Sequence, residues 1–315
     1  MGEMRIGDGG FADAFVAPGV GSNRRLERID ELFDWRRFEE LLQPLRSALG
    51  RKGYPALALF KALLLQQWYQ LSDPGLEEAL GDRLSFRRFC GFSLCDATPD
   101  ETTFVRFRGA LAERGLAERL LAETNRQLDA RGLILKTGTL IDASLVAASV
   151  ARPSGTRSAL DPEANWTRRG HVSHFGYKAH VAVDAGSGVV RDNELTPAST
   201  YESEVADDLI QGDEGAVYGD RAYEQKARRQ RLKAAGIKDR IMHRANKHHP
   251  KLGHWQQLRN RLIAPIRANV ERVFGTLKRS YGYRRVRYRG LERNRSHLHL
   301  LCIAINLRRA EVLTR

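Results

Sequence analysis

At Thr137 the hydrophobic period of the chain changes from helical to β. From about Leu26 to Leu135 apolar residues recur every three or four positions, as in Leu57, Phe60, Leu64, Trp68 and Leu71, the spacing that lines one face of a helix. Beyond Thr137 the apolar runs are short and bounded by turn residues. Thr139-Leu-Ile-Asp-Ala-Ser-Leu-Val146 and Tyr177-Lys-Ala-His-Val-Ala-Val-Asp184 read as strands, and Ala-Gly-Ser-Gly188 ahead of Val189-Val190 turns the second into a hairpin. Ala216-Val-Tyr-Gly219 is a third strand, followed by a basic helix over 225–235 and a strand near 237–242. With 315 residues two domains are the default. The pattern predicts a flexible Gly-rich leader over 1–25, an all-helical domain over 26–136, and an α/β (α+β, mixed-sheet) domain over 137–315.

Local punctuation refines the helices. Asp73 before Pro74 reads as an N-cap with proline at the first helical position, and Thr98-Pro99-Asp100-Glu101 reads as a capping box. Two helices joined around residues 91–97 read either as a helix-turn-helix presenting Arg106 and Arg108 to DNA or as a packing and dimerisation module. Later, helices are expected over 202–210, 263–281 and 296–312, a loop over 151–176, and a polar insertion over 243–260.

Charge is distributed as unevenly as hydrophobicity. The net charge of +14 conceals a neutral segment 1–136, a segment 137–220 at −7, and a segment 221–315 with 26 basic residues against 5 acidic ones. A basic excess confined to one end points to a polyanion, nucleic acid first. No stretch approaches the ~18 consecutive apolar residues of a membrane span. Three cysteines, Cys90, Cys95 and Cys302, without a secretory leader fit reduced thiols in a cytoplasm and no zinc site.

Two acids stand where an acid is out of place: Asp142 follows Leu140-Ile141 inside an apolar strand, and Asp220 ends the run 216–219. A carboxylate at a buried strand end is costly unless paired or bound to a cation. On the helix expected at 263–281, Arg267, Glu271 and Lys278 fall within roughly 40° of one another beside an apolar stripe of Ile263, Ile266, Val270, Val273, Phe274 and Leu277. Three carboxylates able to converge suit hard divalent cations, Mg²⁺ or Mn²⁺, and a pair of such ions drives in-line attack at a phosphodiester.

These residues carry a family resemblance. Gly138-Thr-Leu-Ile-Asp142-Ala-Ser, Phe175-Gly-Tyr-Lys178-Ala-His180, Val217-Tyr-Gly-Asp220-Arg-Ala-Tyr223 and Arg267-Ala-Asn-Val-Glu271-Arg-Val-Phe-Gly-Thr-Leu-Lys278 are similar to the motifs of bacterial insertion-sequence DDE transposases, nearest the insertion-sequence-five family. The helical segment 76–111 is similar to that family's N-terminal domain, and Ala264 stands where a Tyr often precedes the Arg. The resemblance implies an RNase H-like catalytic domain behind an all-helical N-terminal one. It implies Asp142, Asp220 and Glu271 as ligands of two Mg²⁺ or Mn²⁺ ions, with Arg267 and Lys278 in support. The partners it implies are double-stranded DNA, as terminal inverted repeats and target, and a second copy of the chain in a homodimer or larger assembly, in a bacterial cytoplasm at the nucleoid, with no membrane. The implied reaction cuts element ends and joins their 3′-hydroxyls to target DNA. A transposase-derived regulator that binds without cutting, and a metal-dependent nuclease that does not join, are the other readings.

Further DNA contacts are expected at Lys178, at Arg272 and Arg279 on the far side of the helix, and along Arg284-Arg285-Val-Arg287-Tyr-Arg289, where arginine interleaves with an aromatic. His243, His248, His249 and His254 read as a DNA-contacting loop rather than a metal site. Trp166 and Trp255 read as packing or as base-stacking platforms, and Asp184 as a turn residue.

Overall fold

The computed structural model describes residues 4–17, 19–45, 53–245 and 250–315. They fall into two compact units, one of 1–127 with 299–315 and one of 128–298. The sequence-based division ends the helical domain near 136 and assigns everything beyond to the sheet domain. In the structure residues 299–315 group with the helices instead.

The first unit contains helices α1 (Phe11–Ala14), α2 (Arg24–Leu32), α3 (Trp35–Leu42), α4 (Ala56–Tyr69), α5 (Asp73–Asp82), α6 (Leu84–Cys90), α7 (Glu101–Glu113) and most of α8 (Leu116–Ala130). α4 is buried on nearly every side, from Ala56 to Trp68, so it forms the axis around which the others pack. Its Trp68 donates Nε1 to the carbonyl of Ala304, and Asn306 donates to Asn125. Arg28 and Arg315 both grip the buried Glu311 carboxylate, which explains why the C-terminal residues belong to this unit.

Two helix starts differ from expectation by one or two residues. Ser72 caps α5 through Gly75, freeing Asp73 to act as a charge partner, and Asp100 caps α7 through Thr103. Arg106 is exposed, but Arg108 is buried and forks onto Asp73 at 2.7 Å through both terminal nitrogens. The expectation that Arg108 faces DNA is therefore corrected: it is an internal ion pair between α7 and α5. Cys90 and Cys302 are buried and Cys95 is exposed, and none of the three forms a disulfide among the described residues.

The second unit is built on a six-stranded sheet: β1 (Thr139–Ala147), β2 (Asn165–Arg169), β3 (Val172–Asp184), β4 (Val190–Pro197), β5 (Ala216–Gly219) and β6 (Lys238–Ile241). β3 runs antiparallel to β1 and β4, while β5 is parallel to β1 and β6 parallel to β5. Leaving β2 aside, the order is β4-β3-β1-β5-β6, three antiparallel strands followed by two parallel ones, which is the RNase H-like arrangement. Parallel neighbours require a crossover, and α9 (Glu202–Val205) with α10 (Lys226–Ala234) supplies the helical cover. Their side of the sheet is filled by Ile141, Ala182, Val205, Leu209, Val217, Tyr223, Leu232, Ile237 and Ile241.

β2 occupies part of the expected 151–176 loop and pairs with the start of β3, and Trp166 packs on Phe175 with ring centres 5.2 Å apart. The helix expected at 202–210 is only α9. The long helix expected at 263–281 is two helices, α11 (His254–Arg267) and α12 (Glu271–Ser280), separated by a 3₁₀ turn at 268–270. α11 contains Pro265, which lacks the N–H of a regular helix. α13 (Leu291–Leu313) completes the chain, its residues before 299 lying in this unit.

Candidate catalytic face

Alternation along β1 sends Ile141 into the core and Asp142, with Ser144, to the opposite face. The parallel ladder of β1 with β5 pairs Thr139 with Val217 and Leu140 with Tyr218. Asp142 and Asp220 each follow the last paired residue of that ladder by two positions, and the Asp220 charge reaches the Asp142 carboxyl. Asp220 leaves the strand as the cap of a short 3₁₀ turn, accepting the amide of Ala222 at 2.7 Å.

α12 then delivers the third acid. Glu271 is its first residue and two-thirds exposed, while Val273, Phe274 and Leu277 anchor the helix. Between the acids lies Arg267: Nη1 donates to Asp142 Oδ2 at 3.2 Å and Nη2 to Glu271 Oε1 at 3.3 Å. Further along α12, Lys278 Nζ donates to Ser144 Oγ at 2.6 Å. Arg267 and Lys278 thus meet the same face of β1, two strand residues apart. Among the described residues no three acidic, histidine or cysteine side chains are gathered closely enough to hold a metal ion.

The local electrostatics are those of crowded negative charge. Burial, the largest influence, pushes the Asp142 carboxyl up to about 6, and Asp220 and Glu202 add to the rise while Arg267 opposes it. Glu202 is raised as well, by burial and then by Asp220, against the pull of Lys178 and Arg169. Burial drives the Tyr223 phenol well above its usual value, with Glu202, Asp142 and Asp220 adding to it. Its hydroxyl is fully enclosed and makes no hydrogen bond to a described residue. An all-oxygen set of this kind suits a hard divalent cation.

Sequence reasoning missed Glu202, Tyr223 and Arg228. The Arg228 guanidinium is buried and donates to the carbonyls of Tyr223 (2.6 Å) and Ser203 (2.5 Å) and to Asp207 (2.7 Å). It therefore ties the turn after Asp220 to the helix carrying Glu202. A buried arginine within the run Lys226-Ala-Arg-Arg-Gln-Arg looks like its solvated neighbours, so no local signal distinguishes it.

The remaining expected contacts divide by exposure. Arg272, Arg279, Arg284, Arg285, Arg287 and Arg289 are exposed. Lys178 is not: it is buried, donates to the carbonyl of Thr200 at 2.7 Å and stands 3.7 Å from Glu202. Its expected contact with DNA is corrected to an internal tether of the segment after β4. Asp184 has the expected turn role, accepting from Lys136 N, Ser187 N and Ser187 Oγ. Of the histidines, His248 and His249 lie outside the described residues, and His243 bonds to Glu224 and Arg259. Trp255 is exposed.

Comparison with known proteins bears on both units. A family model described as a transposase DDE domain matches residues 134–307, and one described as a transposase domain (DUF772) matches residues 17–110. Among solved structures, the cryo-EM structure of piggyBac transposase synaptic complex with hairpin DNA aligns with a TM-score of 0.45 and 10% sequence identity. That alignment covers 92% of this chain and 72% of that one.

Proposed function

From the premise that the chain belongs to the transposase DDE domain family, we propose that it is the transposase of a bacterial insertion sequence of the insertion-sequence-five type. On this reading it cuts the element's ends and joins the freed 3′-hydroxyls to target DNA. The observation that carries the reading is that Asp220, directly after β5, acts on Asp142 within the neighbouring β1, with Arg267 linking Asp142 to Glu271.

Asp142, Asp220 and Glu271 are the residues that would hold divalent metal, Mg²⁺ or Mn²⁺, as two ions. Metal held there would supply Lewis acidity for phosphodiester cleavage and joining. Everything else is done by the chain. Arg267 keeps Asp142 and Glu271 oriented toward one another, and its planar fork is what allows one cation to serve two carboxylates. Lys278, fixed by Ser144, presents a point charge to the substrate phosphate. Arg272, Arg279, Arg285, Arg287 and Arg289, all exposed, grip the backbone on either side, and Arg106 is the remaining candidate for DNA contact in the helical unit. The working form is a dimer or larger, acting on inverted repeats in the bacterial cytoplasm at the nucleoid. No helix among the described residues is long and apolar enough to cross a membrane.

The test is incubation of the purified chain with Mg²⁺, a plasmid carrying its gene with native flanks, and a second target plasmid. Joined products at a fixed distance from the gene are expected. Linear fragments without joining would replace this reading by a nuclease, and binding without any nick by a regulator.

A further inference from the structure

Beside the catalytic face, a cavity of about 200 Å³ opens between the end of β1 and the first half of β3, with Val146 and Phe175 in its lining. Five of its lining residues are basic or imidazole: Arg152, Arg169, His174, Lys278 and Arg284. Among the described residues no carboxylate lines it and none of Arg152, Arg169, Lys278 and Arg284 makes an ion pair. Glu202 is within electrostatic reach of Arg169, but it already faces Lys178.

Backbone structure, not side-chain chance, assembles this group. The Ala147 amide donates to the Arg284 carbonyl at 3.0 Å and the Val286 amide to the Ala147 carbonyl at 2.8 Å. The 284–286 segment is thereby stitched to the end of β1. Gly176 allows β3 to pass β1 closely there, since a Cβ on it would lie 2.2 Å from the Val146 carbonyl oxygen. Arg169 arrives from the β2–β3 hairpin and Lys278 from α12. Like charges collected around one cavity repel one another: Lys278 is held below its usual value, by burial first and then by Arg169 and Arg284. An anion among them converts that repulsion into attraction.

We propose that this cavity is a phosphate-binding subsite that holds a DNA backbone phosphate next to the one being cut. The proposal rests on the transposase reading for the word "cut", but the binding itself does not. Ser144, which accepts from the cavity-lining Lys278, lies two residues beyond Asp142 on the same strand face, about 6.6 Å along β1. That separation suits a neighbouring phosphate of the same strand. Guanidinium groups grip phosphate oxygens in bidentate fashion, which a lysine cluster does less well.

The test uses the full chain in EDTA, where metal-dependent cleavage is off, with a short duplex of arbitrary sequence as probe. Arg169 and Arg284 are exposed, so R169Q/R284Q is expected to keep the wild-type melting midpoint. Its log affinity against log salt is expected to become shallower by about 0.9, the release of counterions from one phosphate. R169K/R284K, which retains the charge and serves if the glutamine pair melts early, is expected to recover the slope. An unchanged slope in R169Q/R284Q overturns the proposal. Inorganic phosphate followed by ³¹P line broadening separates the sources: tight binding that the glutamine pair abolishes, with an unaltered DNA slope, makes this a free-phosphate site and also overturns it. A slope change in a protein that never cuts DNA in Mg²⁺ defeats the transposase reading alone, whereas cutting with an unaltered slope defeats this proposal alone.

Discussion

Arg267 is the residue on which the catalytic face turns, because one guanidinium satisfies Asp142 and Glu271 at once. Replacing it with Ala leaves the crowded Asp142 without its main counter-charge. Cleavage is expected to fall roughly 10²–10³-fold, the scale of losing one preorganised charge-stabilising group, with DNA binding in EDTA little changed. Arg267→Lys is expected to recover little, since an ammonium cannot fork across two carboxylates; single-turnover cleavage rates check both. His180 gives a prediction about stability. It is fully enclosed on β3 with Nε2 against Thr196 Oγ1, and burial, then Lys178, push its ring from 6.5 down to about 3. A depressed histidine means that the unfolded chain takes up the proton first. Its contribution is intact above pH 6.5 and is lost as pH falls from 6.5 toward 3, at about 1.4 kcal/mol per unit. Urea midpoints measured between pH 7.5 and 4.5 are expected to decline, and less steeply in His180→Asn. At this scale Asp142 and Asp220 were legible in the sequence because an acid interrupts an apolar run. Arg108 was misread because its partner Asp73 is remote in sequence, and a helical wheel cannot show which polar residue finds a buried ion.

Among the elements, the segment from α9 to α10 does more than cover the sheet. Arg228 joins Ser203, Asp207 and the Tyr223 carbonyl, so the turn that follows Asp220 is held by a helix two elements away. Arg228→Met leaves the Tyr223 and Ser203 carbonyls without their donor while Asp207 keeps Arg231, and a loss of about 2 kcal/mol is expected. That loss should appear as a lower denaturation midpoint, with Asp220-dependent cleavage lost as the turn loosens. Short apolar runs located β1, most of β3 and β5, a strand was also expected where β6 lies, and the turn after Asp184 marked only the start of β4. Periodicity missed β2, whose Asn-Trp-Thr-Arg-Arg is polar and owes its strand form to pairing with β3. It also joined the end of α11 to α12 as one helix and read the start of α11 as part of the polar insertion over 243–260. The apolar stripe runs on through Val270 to Leu277, and Pro265 was the only local sign of a break. Glu202 and the phosphate cavity were beyond any local pattern, since both arise where separate elements converge.

For the whole molecule, the return of residues 299–315 to the helical unit makes a distinct prediction. Deleting 299–315 removes the acceptor of Trp68 Nε1 and the buried Glu311 pair, so the helical unit is expected to lose its protection from proteolysis while the sheet unit of 128–298 retains more of its own. Limited proteolysis read by mass spectrometry compares the two. The charge pattern also resolves at this scale. The basic end of the chain supplies Arg267, Lys278 and the exposed arginines up to Arg289, and the acid-rich middle contributes Asp142, Asp220 and Glu202. The central claim is that Asp142, Asp220 and Glu271 act as one metal-dependent centre. It is tested most directly by measuring single-turnover cleavage of the element's ends in Mg²⁺ for Asp142→Asn, Asp220→Asn and Glu271→Gln, with DNA affinity in EDTA recorded alongside. Each variant is predicted to bind DNA as the wild type does and to lose cleavage by roughly 10³-fold or more; cleavage within about tenfold of wild type in any one of the three would contradict the account.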